Sequence, residues 1–385
     1  MTGGFRFSQI RLPDATERLR LEVREFINRL RSDGLFAPGP SSWNRLDFDL
    51  SARIGAKGWI GMTWPKKYGG HERSALERYV VTEEFLAAGV PIKAHYAADR
   101  QVGPVILQFG SERLKSLYLP QIAAGKCCCA VGMSEPDSGS DLFAIRTHGS
   151  KVDGGWRVEG RKVWTTIAHR SHLMVLLLRT SPQTEDRRAG MSRFLVDMTW
   201  PGIIVKPIEN MVGKNDFNEV IFDGVFVPDD MVLGEPGAGW VQVGSELAYE
   251  RSSPDRWLGS FETLTQAIDN LGPDAGALSN QSIGRIVSHL WTLRNMSISV
   301  AHTLETGAIP AIEAAVVKDL GTALDQEIPH LIRALVGEET GGALDPGHLL
   351  NTCLEYDLLF GPALSIKGGT REILRNAIAK GLSLR

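Results

Sequence analysis

The 385 residues, at roughly 100–200 residues per domain, give two or three domains and ample length for an apolar core, which excludes a small disulfide scaffold. The composition, 43% hydrophobic, 23% charged and 8% aromatic, is that of an ordinary soluble globular protein and excludes the disordered, collagen-like and coiled-coil classes. Lys plus Arg total 42 against 45 for Asp plus Glu, a formal charge of -3, so there is no overall field to hold a nucleic acid or an anionic membrane, and neither is an expected partner.

In chain order, residues from Pro13 to about Gly125 read as helices. Leu19, Val23, Phe26, Ile27 and Leu30 recur at helical spacing on one face, and Asp14 is placed to cap the start of that helix. Met1 to Arg11 lacks the apolar core of a secretion leader, and Asp14 and Glu17 come too early for an acid-poor transit peptide. A cytoplasmic, reducing location is expected. Cys127, Cys128 and Cys129 are consecutive and far from Cys353, so no pair of C-x-x-C units offers a metal site. They are expected to be buried, reduced packing residues.

Between about Lys126 and Gly239 the texture changes to short β-branched and aromatic runs: Trp156 to Val158, Leu173 to Leu178, Phe194 to Val196, Ile203 to Val205 and Val220 to Phe222. Leu173 to Leu178 is the longest purely apolar run and falls far short of the ~20 residues that span a bilayer. Asp153-Gly154-Gly155 before Trp156 is a hairpin signal. After Trp240 helical stretches return, over roughly 241–271, 282–305, 311–335 and 354–381, with loops at Gly272-Pro273 and from Gly337 to Pro346. Strands segregated from helices argue against a parallel βαβ sheet. The fold class expected is α+β and multidomain: an all-α domain over 1–125, an antiparallel, barrel-like β domain over 126–239 and a helical bundle over 240–385. Gly234-Glu-Pro-Gly237-Ala-Gly239 lacks the spacing and flanks of a dinucleotide fingerprint and reads as a turn into the last domain.

Four segments in register resemble the acyl-CoA dehydrogenase family over nearly the whole chain. Trp64-Pro-Lys-Lys-Tyr-Gly-Gly70, with Gly110-Ser-Glu-Arg and Leu119-Pro120, is similar to the family's P-x-x-Y-G-G and following elements. Met133-Ser-Glu-Pro-Asp-Ser-Gly-Ser-Asp141 with Gly160-Arg-Lys-Val-Trp164-Thr-Thr166 resembles T-E-P-x-x-G-S-D and G-x-K-x-W-I-T. Asn218 to Pro228 with Gly234 and Gly239-Trp240 forms the third segment, and Gly369-Thr370-Arg-Glu372-Ile, like G-T-x-E-I, the fourth.

The resemblance implies FAD, held between the middle and C-terminal domains and capped by a neighbouring subunit. Met133 lies at the start of the cofactor segment. Ser134 and Thr166 match hydroxyls at the flavin edge near N5, and Trp164 matches the indole covering one ring face. Ser140 matches a contact to both flavin and acyl-CoA, while Thr370 and Glu372 match contacts to the dinucleotide half. Donors placed around a flavin tune its electronics while an aromatic wall excludes water.

The reaction the family performs needs a carboxylate to take the α-proton of a thioester, with a pKa raised by burial. In many members it stands immediately before the C-terminal G-T, where this chain has Gly368. A second branch, including isovaleryl-CoA dehydrogenase and enzymes of bacterial sterol breakdown, carries it as the Glu of a Glu-Arg pair early in the first C-terminal helix, and Leu247-Ala-Tyr-Glu250-Arg251 resembles that pattern. Glu250 is the candidate base and Arg251 a candidate acyl-CoA contact. Pro254, four residues on, is expected to kink or stop the helix just after Glu250.

The family's R-x-x-F-G element has no counterpart between Ala275 and Arg285, and its Gly-Gly element is altered to Val336-Gly-Glu-Glu-Thr-Gly-Gly342. Two readings follow. One is an active dehydrogenase that passes electrons to an electron-transfer flavoprotein, working as a homo- or hetero-oligomer, dimer or tetramer; the other is a silent subunit of a heteromer. Oxidase chemistry is a third. The helix-borne base resembles members acting on branched, long or ring-bearing acyl groups, so a bulky acyl-CoA, with sterol-derived thioesters among the candidates, is the expected substrate.

Overall fold

The computed structural model describes residues 5–243, 253–340 and 347–384, except the side chains of 338–340. Six helices come first: α1 (Asp14–Ser32), α2 (Phe48–Ala56), α3 (Ala75–Ala87), α4 (Lys93–Ala97), α5 (Gly103–Phe109) and α6 (Glu112–Ala123). Leu19, Val23, Ile27 and Leu30 of α1 are buried and Phe26 is half-buried, the face read from their spacing. The cap differs from expectation. Pro13 holds the N-cap position of α1, without a side-chain cap bond, so Asp14 is the first helical residue. There its carboxylate still complements the helix dipole. In α3, Ser74 and Glu77 form a reciprocal capping box, Glu77 N–H to Ser74 Oγ at 3.0 Å and Ser74 N–H to Glu77 Oε2 at 2.9 Å.

Seven strands follow: β1 (Cys129–Gly132), β2 (His148–Val152), β3 (Gly155–Lys162), β4 (Leu173–Arg179), β5 (Met191–Asp197), β6 (Ile203–Ile208) and β7 (Phe217–Pro228). They form one sheet in the order β1-β4-β2-β3-β7-β6, with β5 on β4. β1 enters from a helix and runs parallel to β4, so the sheet is mixed; β2–β3, β3–β7, β4–β5 and β6–β7 are antiparallel. Asp153-Gly154 makes the two-residue turn of the β2–β3 hairpin, with Gly154 at φ 70°, a conformation that costs glycine nothing. In β7 the buried positions run Asn218, Val220, Phe222 and then Val225, Val227. The change of phase falls at an extra residue opposite β3 between Val158 and Gly160, where Gly224 takes φ 63°. This is a bulge, and it keeps both halves of the long strand facing the core.

Helix α7 begins at 239 and is described to 243, following the turn with Gly234 at φ 69° and Gly237 at φ 92°. The helical stretch expected over 241–271, with a kink or stop after Glu250, is not one continuous helix. Ser253 is extended, Pro254–Arg256 is one 3₁₀ turn, and α8 (Phe261–Leu271) starts only beyond it. Pro254 sits at the start of that turn, where its missing N–H breaks no helical bond. The point at which α7 ends lies outside the described residues. Then come α9 (Ala277–Glu305), α10 (Ala311–Thr340), α11 (Leu349–Leu364) and α12 (Arg371–Gly381). The stretch 354–381 is therefore two helices, divided where Gly368 (φ 67°) and Gly369 (φ 93°) take left-handed backbone and Thr370 caps α12. α10 continues through Gly337 to Thr340, where a loop was expected.

The contacts group the chain into two units, Met1–Arg45, Ser74–Ile92 and Ala248–Arg385 in one, Leu46–Arg73 and Lys93–Leu247 in the other. In the first, a buried ion cluster ties α1, α3 and α9. Arg20 donates to Glu83 (2.8 Å) and Glu84, Arg24 Nε to Glu84 (2.7 Å), and Arg294 Nε to Glu83 (2.7 Å). In the second, Cys127, Cys128 and Cys129 are buried free thiols, as is Cys353 in the first. Burial pushes Cys128 up to about 11 and Cys353 up to about 12, so neither offers a reactive thiolate. Among the described residues no helix is long and apolar enough to cross a membrane.

Candidate functional site

In the unit carrying the sheet, the segment after β1 and the segment after β3 are joined. Val163 N–H donates to the Ser134 carbonyl at 2.9 Å, and Lys162 Nζ donates to the Met133 carbonyl at 3.0 Å. Lys162 continues the inward face of Trp156 and Val158 and is fully buried (0% exposed). A buried ammonium needs a partner, and Glu135 supplies it at 2.7 Å. Glu135 Oε2 also accepts the Arg146 N–H (2.6 Å) and Oε1 the Thr147 N–H (3.0 Å). Burial pulls Lys162 down to about 8 against the opposing field of Glu135. Burial pushes the Glu135 carboxyl up, but Lys162, the Arg146 N–H and the Thr147 side chain outweigh it and leave it below the usual carboxylate range. The ion pair thus anchors Met133 and Ser134 to the end of β3.

Beyond Lys162 the chain turns outward under strain. Trp164 has φ 58° and Ile167 φ 49°, left-handed conformations that cost of order 1–3 kcal/mol each for such residues. Backbone bonds on both sides hold them: Thr165 N–H to the Asn218 carbonyl at 3.0 Å and Ile167 N–H to the Asp216 carbonyl at 2.8 Å. Buried Asn218 adds its Nδ2 to the Thr165 carbonyl (2.9 Å), and its Oδ1 lies 2.8 Å from His169 Nδ1. The result is an indole 59% exposed, set edge-on to Phe217 at 6.2 Å, with Thr166 exposed two residues on. Thr165 Oγ1 is buried and has no hydrogen-bond partner among the described residues. Ser134 is half-buried beside this segment.

Ser140 is exposed on the loop from Pro136 to Asp141. That loop is closed by the Glu135 N–H to the Ser138 carbonyl (2.8 Å) and Ser138 Oγ to the Asp141 carbonyl (2.6 Å), and is tied outward by Arg187 to Asp141 at 2.7 Å. So Met133, Ser134, Trp164 and Thr166 are brought together, with Ser140 on the adjoining loop. A planar indole held out of the core beside hydroxyl groups has the chemistry to receive the face and edge of a planar heterocycle.

Thr370 and Glu372 lie in the helical unit. Thr370 Oγ1 accepts the Ile373 N–H at 3.4 Å, and Glu372 is exposed in the first turn of α12. A bond from its own backbone N–H, then the Thr370 hydroxyl, hold the Glu372 carboxyl below its usual range. Glu250 and Arg251 lie outside the described residues. Sequence reading missed Glu135, Lys162 and Asn218 as the groups that hold the site. The signal for one was present, since Lys162 follows Trp156 and Val158 at strand period and a lysine on a core-facing strand position requires a buried acid.

Residues 13–126 match the acyl-CoA dehydrogenase N-terminal domain and residues 130–225 the acyl-CoA dehydrogenase middle domain. The acyl-CoA dehydrogenase IpdE1 of Mycobacterium tuberculosis is 32% identical over 348 residues, covering 88% of this chain and 86% of that one. The acyl-CoA dehydrogenase FadE34 of the same organism is 30% identical over 326 residues, 84% of this chain; the match spans 44% of FadE34, less than half its length. Among solved structures, the Tcur3481-Tcur3483 steroid ACAD superposes with a TM-score of 0.85 at 25% identity, covering 97% and 98% of the two chains. The ChsE4-ChsE5 complex from Mycobacterium tuberculosis gives 0.83 at 27% identity, covering 98% and 99%. The chain belongs to the acyl-CoA dehydrogenase family, a family of FAD-dependent enzymes.

Proposed function

We propose that this chain binds FAD at Met133, Ser134, Ser140, Trp164, Thr166, Thr370 and Glu372, and desaturates a bulky acyl-CoA thioester between its α- and β-carbons. The observation that carries the reading is the joining of Ser134 to a strained, outward-held Trp164 through the Val163 N–H. When bound, FAD supplies the acceptor for the hydride that leaves the β-carbon. Trp164 excludes water from one side of the site, and the hydroxyls of Ser134 and Thr166 orient the ring edge. Glu250 takes the α-proton, Arg251 and Ser140 contact the acyl-CoA, and the electron pair left at the α-carbon closes the new double bond as the hydride departs.

The backbone favours Glu250 over the family's other base position. Gly368 takes φ 67° and is followed by Gly369 at φ 93°. A carboxylate residue there would add left-handed strain. A branched, long or ring-bearing acyl group, sterol-derived among them, is supported by likeness to the steroid ACAD. In this reading the electrons pass to an electron-transfer flavoprotein, the three segments 1–125, 126–239 and 240–385 are the domains, and the compartment is the reducing cytoplasm.

A second reading, a silent subunit within a heteromer, is favoured by the missing R-x-x-F-G element and by likeness to the ChsE4-ChsE5 complex. Purification and a panel of acyl-CoA thioesters separate the two. Yellow protein whose oxidised-flavin absorbance bleaches with a bulky thioester supports the first. Colourless protein, inert until a partner chain is added, supports the second, and peroxide release in air marks oxidase chemistry.

A further inference from the structure

Strand β4 ends on Arg179, a buried residue (8% exposed) at the root of the loop that joins β4 to β5. A charge withdrawn from water has to be well bonded, and a guanidinium, with five N–H donors in one rigid plane, can bond to two segments at once. Here four backbone carbonyls accept from it. Two belong to the segment after β1: Phe143, from Nη2 at 2.7 Å, and Ile145, from Nε at 3.2 Å. Two belong to the β4–β5 loop: Arg187, from Nη2 at 3.1 Å, and Ala189, from Nη1 at 2.8 Å. One side chain therefore fixes both segments.

The loop then reaches back to the first segment. Arg187, whose carbonyl Arg179 holds, donates from Nη2 to Asp141 Oδ2 at 2.7 Å, and its guanidinium lies 5.6 Å over the Phe143 ring. Both members of that ion pair are about half exposed, and such a pair has little strength of its own. Its direction is set by the buried bonds beneath it. Ser140 precedes Asp141, is exposed and follows Gly139, so its place depends on what holds Asp141 and Phe143. We propose that Arg179, acting through Arg187 and Asp141, is the positioning residue for Ser140 in cofactor binding. This rests on the reading of Ser140 as a flavin contact.

The test is FAD affinity of the full-length protein, measured by titrating apoprotein with FAD, with melting temperatures of the same apoproteins. The variants are Arg179→Lys, Arg187→Ala, Ser140→Ala, and Ser140→Ala combined with each arginine change. A lysine ammonium has no rigid plane with which to serve four carbonyls in two segments. Displacing a contact by about 1 Å costs up to about a hundredfold, so Arg179→Lys is expected to raise the FAD dissociation constant by about tenfold. Arg187→Ala, a surface change, should raise it by less. Each double variant should bind no more weakly than the weaker of its two singles, because losses that pass through one contact do not multiply. A lowered melting temperature with wild-type FAD affinity in Arg179→Lys would show a merely structural arginine and overturn the inference. Losses that multiply in the double variants would place the effect elsewhere than Ser140 and overturn it too. If Arg179→Lys does not fold, weakened binding in Arg187→Ala that is not compounded by Ser140→Ala sustains the inference, and wild-type affinity there overturns it. Wild-type affinity in Ser140→Ala, or no FAD bound by the wild type, sinks the reading of Ser140 and the inference with it.

Discussion

Lys162 and Glu135 meet at 2.7 Å inside the sheet-bearing unit; Lys162 also donates to the Met133 carbonyl, and Glu135, next in the chain to Ser134, also accepts the Arg146 and Thr147 N–H groups. The pair thus couples the stability of the middle strands to the position of Ser134. Removing one member of a buried pair costs about 3–5 kcal/mol because it strands the other charge. The two removals are not equivalent.

Glu135→Ala leaves the Lys162 ammonium with the Met133 carbonyl, whereas Lys162→Met leaves Glu135 with the Arg146 and Thr147 N–H groups. Urea unfolding is expected to show Glu135→Ala as the more destabilised, by roughly 3–5 kcal/mol from wild type, with the double variant recovering part of the loss. Equal, small effects would show that the pair is not buried as described.

Trp164 gives a different signature. Its side chain is largely exposed and its backbone is strained. Trp164→Gly should leave apoprotein stability unchanged or raise it by about 1 kcal/mol through relief of the left-handed conformation, while FAD affinity falls and the flavin absorbance bands shift. A large loss of apoprotein stability with an unchanged flavin spectrum would make the indole a packing residue.

Three buried groups set pH slopes of opposite sign, one histidine against two carboxyls. His95, bonded to Ser51 Oγ at 2.9 Å, is pulled down to about 4 by burial, with Arg100 adding to this and Asp99 opposing it. The unfolded chain therefore binds more protons between about pH 6.5 and 4, and up to roughly 3 kcal/mol of stability is lost as pH falls through that window. Unfolding free energies of His95→Asn should be flatter across it.

Asp325 accepts the Gly259 and Ser260 N–H groups, and Asp357 accepts from Thr263 Oγ1 at 2.5 Å. Burial raises both to about 7; Lys367 opposes the rise at Asp325, Asp255 adds to it there, and Asp325 and Glu262 add to it at Asp357. Here the folded chain holds the extra protons, so the contribution of these two carboxyls is greatest below about pH 4 and declines as pH rises through 7. Asp325→Asn should cost less at pH 8 than at pH 5.

Much of this was legible beforehand because period carries burial. The α1 face, the β2–β3 hairpin and the order of helices, strands and helices follow from spacing and turn residues. The breaks were less visible. A helical spacing continues across 365–370, and only the left-handed backbone at Gly368 and Gly369 shows that the helix stops there. Pro254 signals a break, but whether it ends one helix or begins a turn depends on tertiary packing. The Glu135–Lys162 and Phe143–Arg179 bonds join residues far apart in sequence, and no local pattern reports a partner at that distance.

The decisive measurement is anaerobic mixing of Glu250→Gln with a bulky acyl-CoA thioester, following the oxidised-flavin absorbance. The variant should keep its flavin and bind the thioester, yet bleach at least about a hundredfold more slowly than wild type, as expected when a general base is removed. Bleaching at the wild-type rate would show that another group takes the α-proton and would contradict the role given to Glu250.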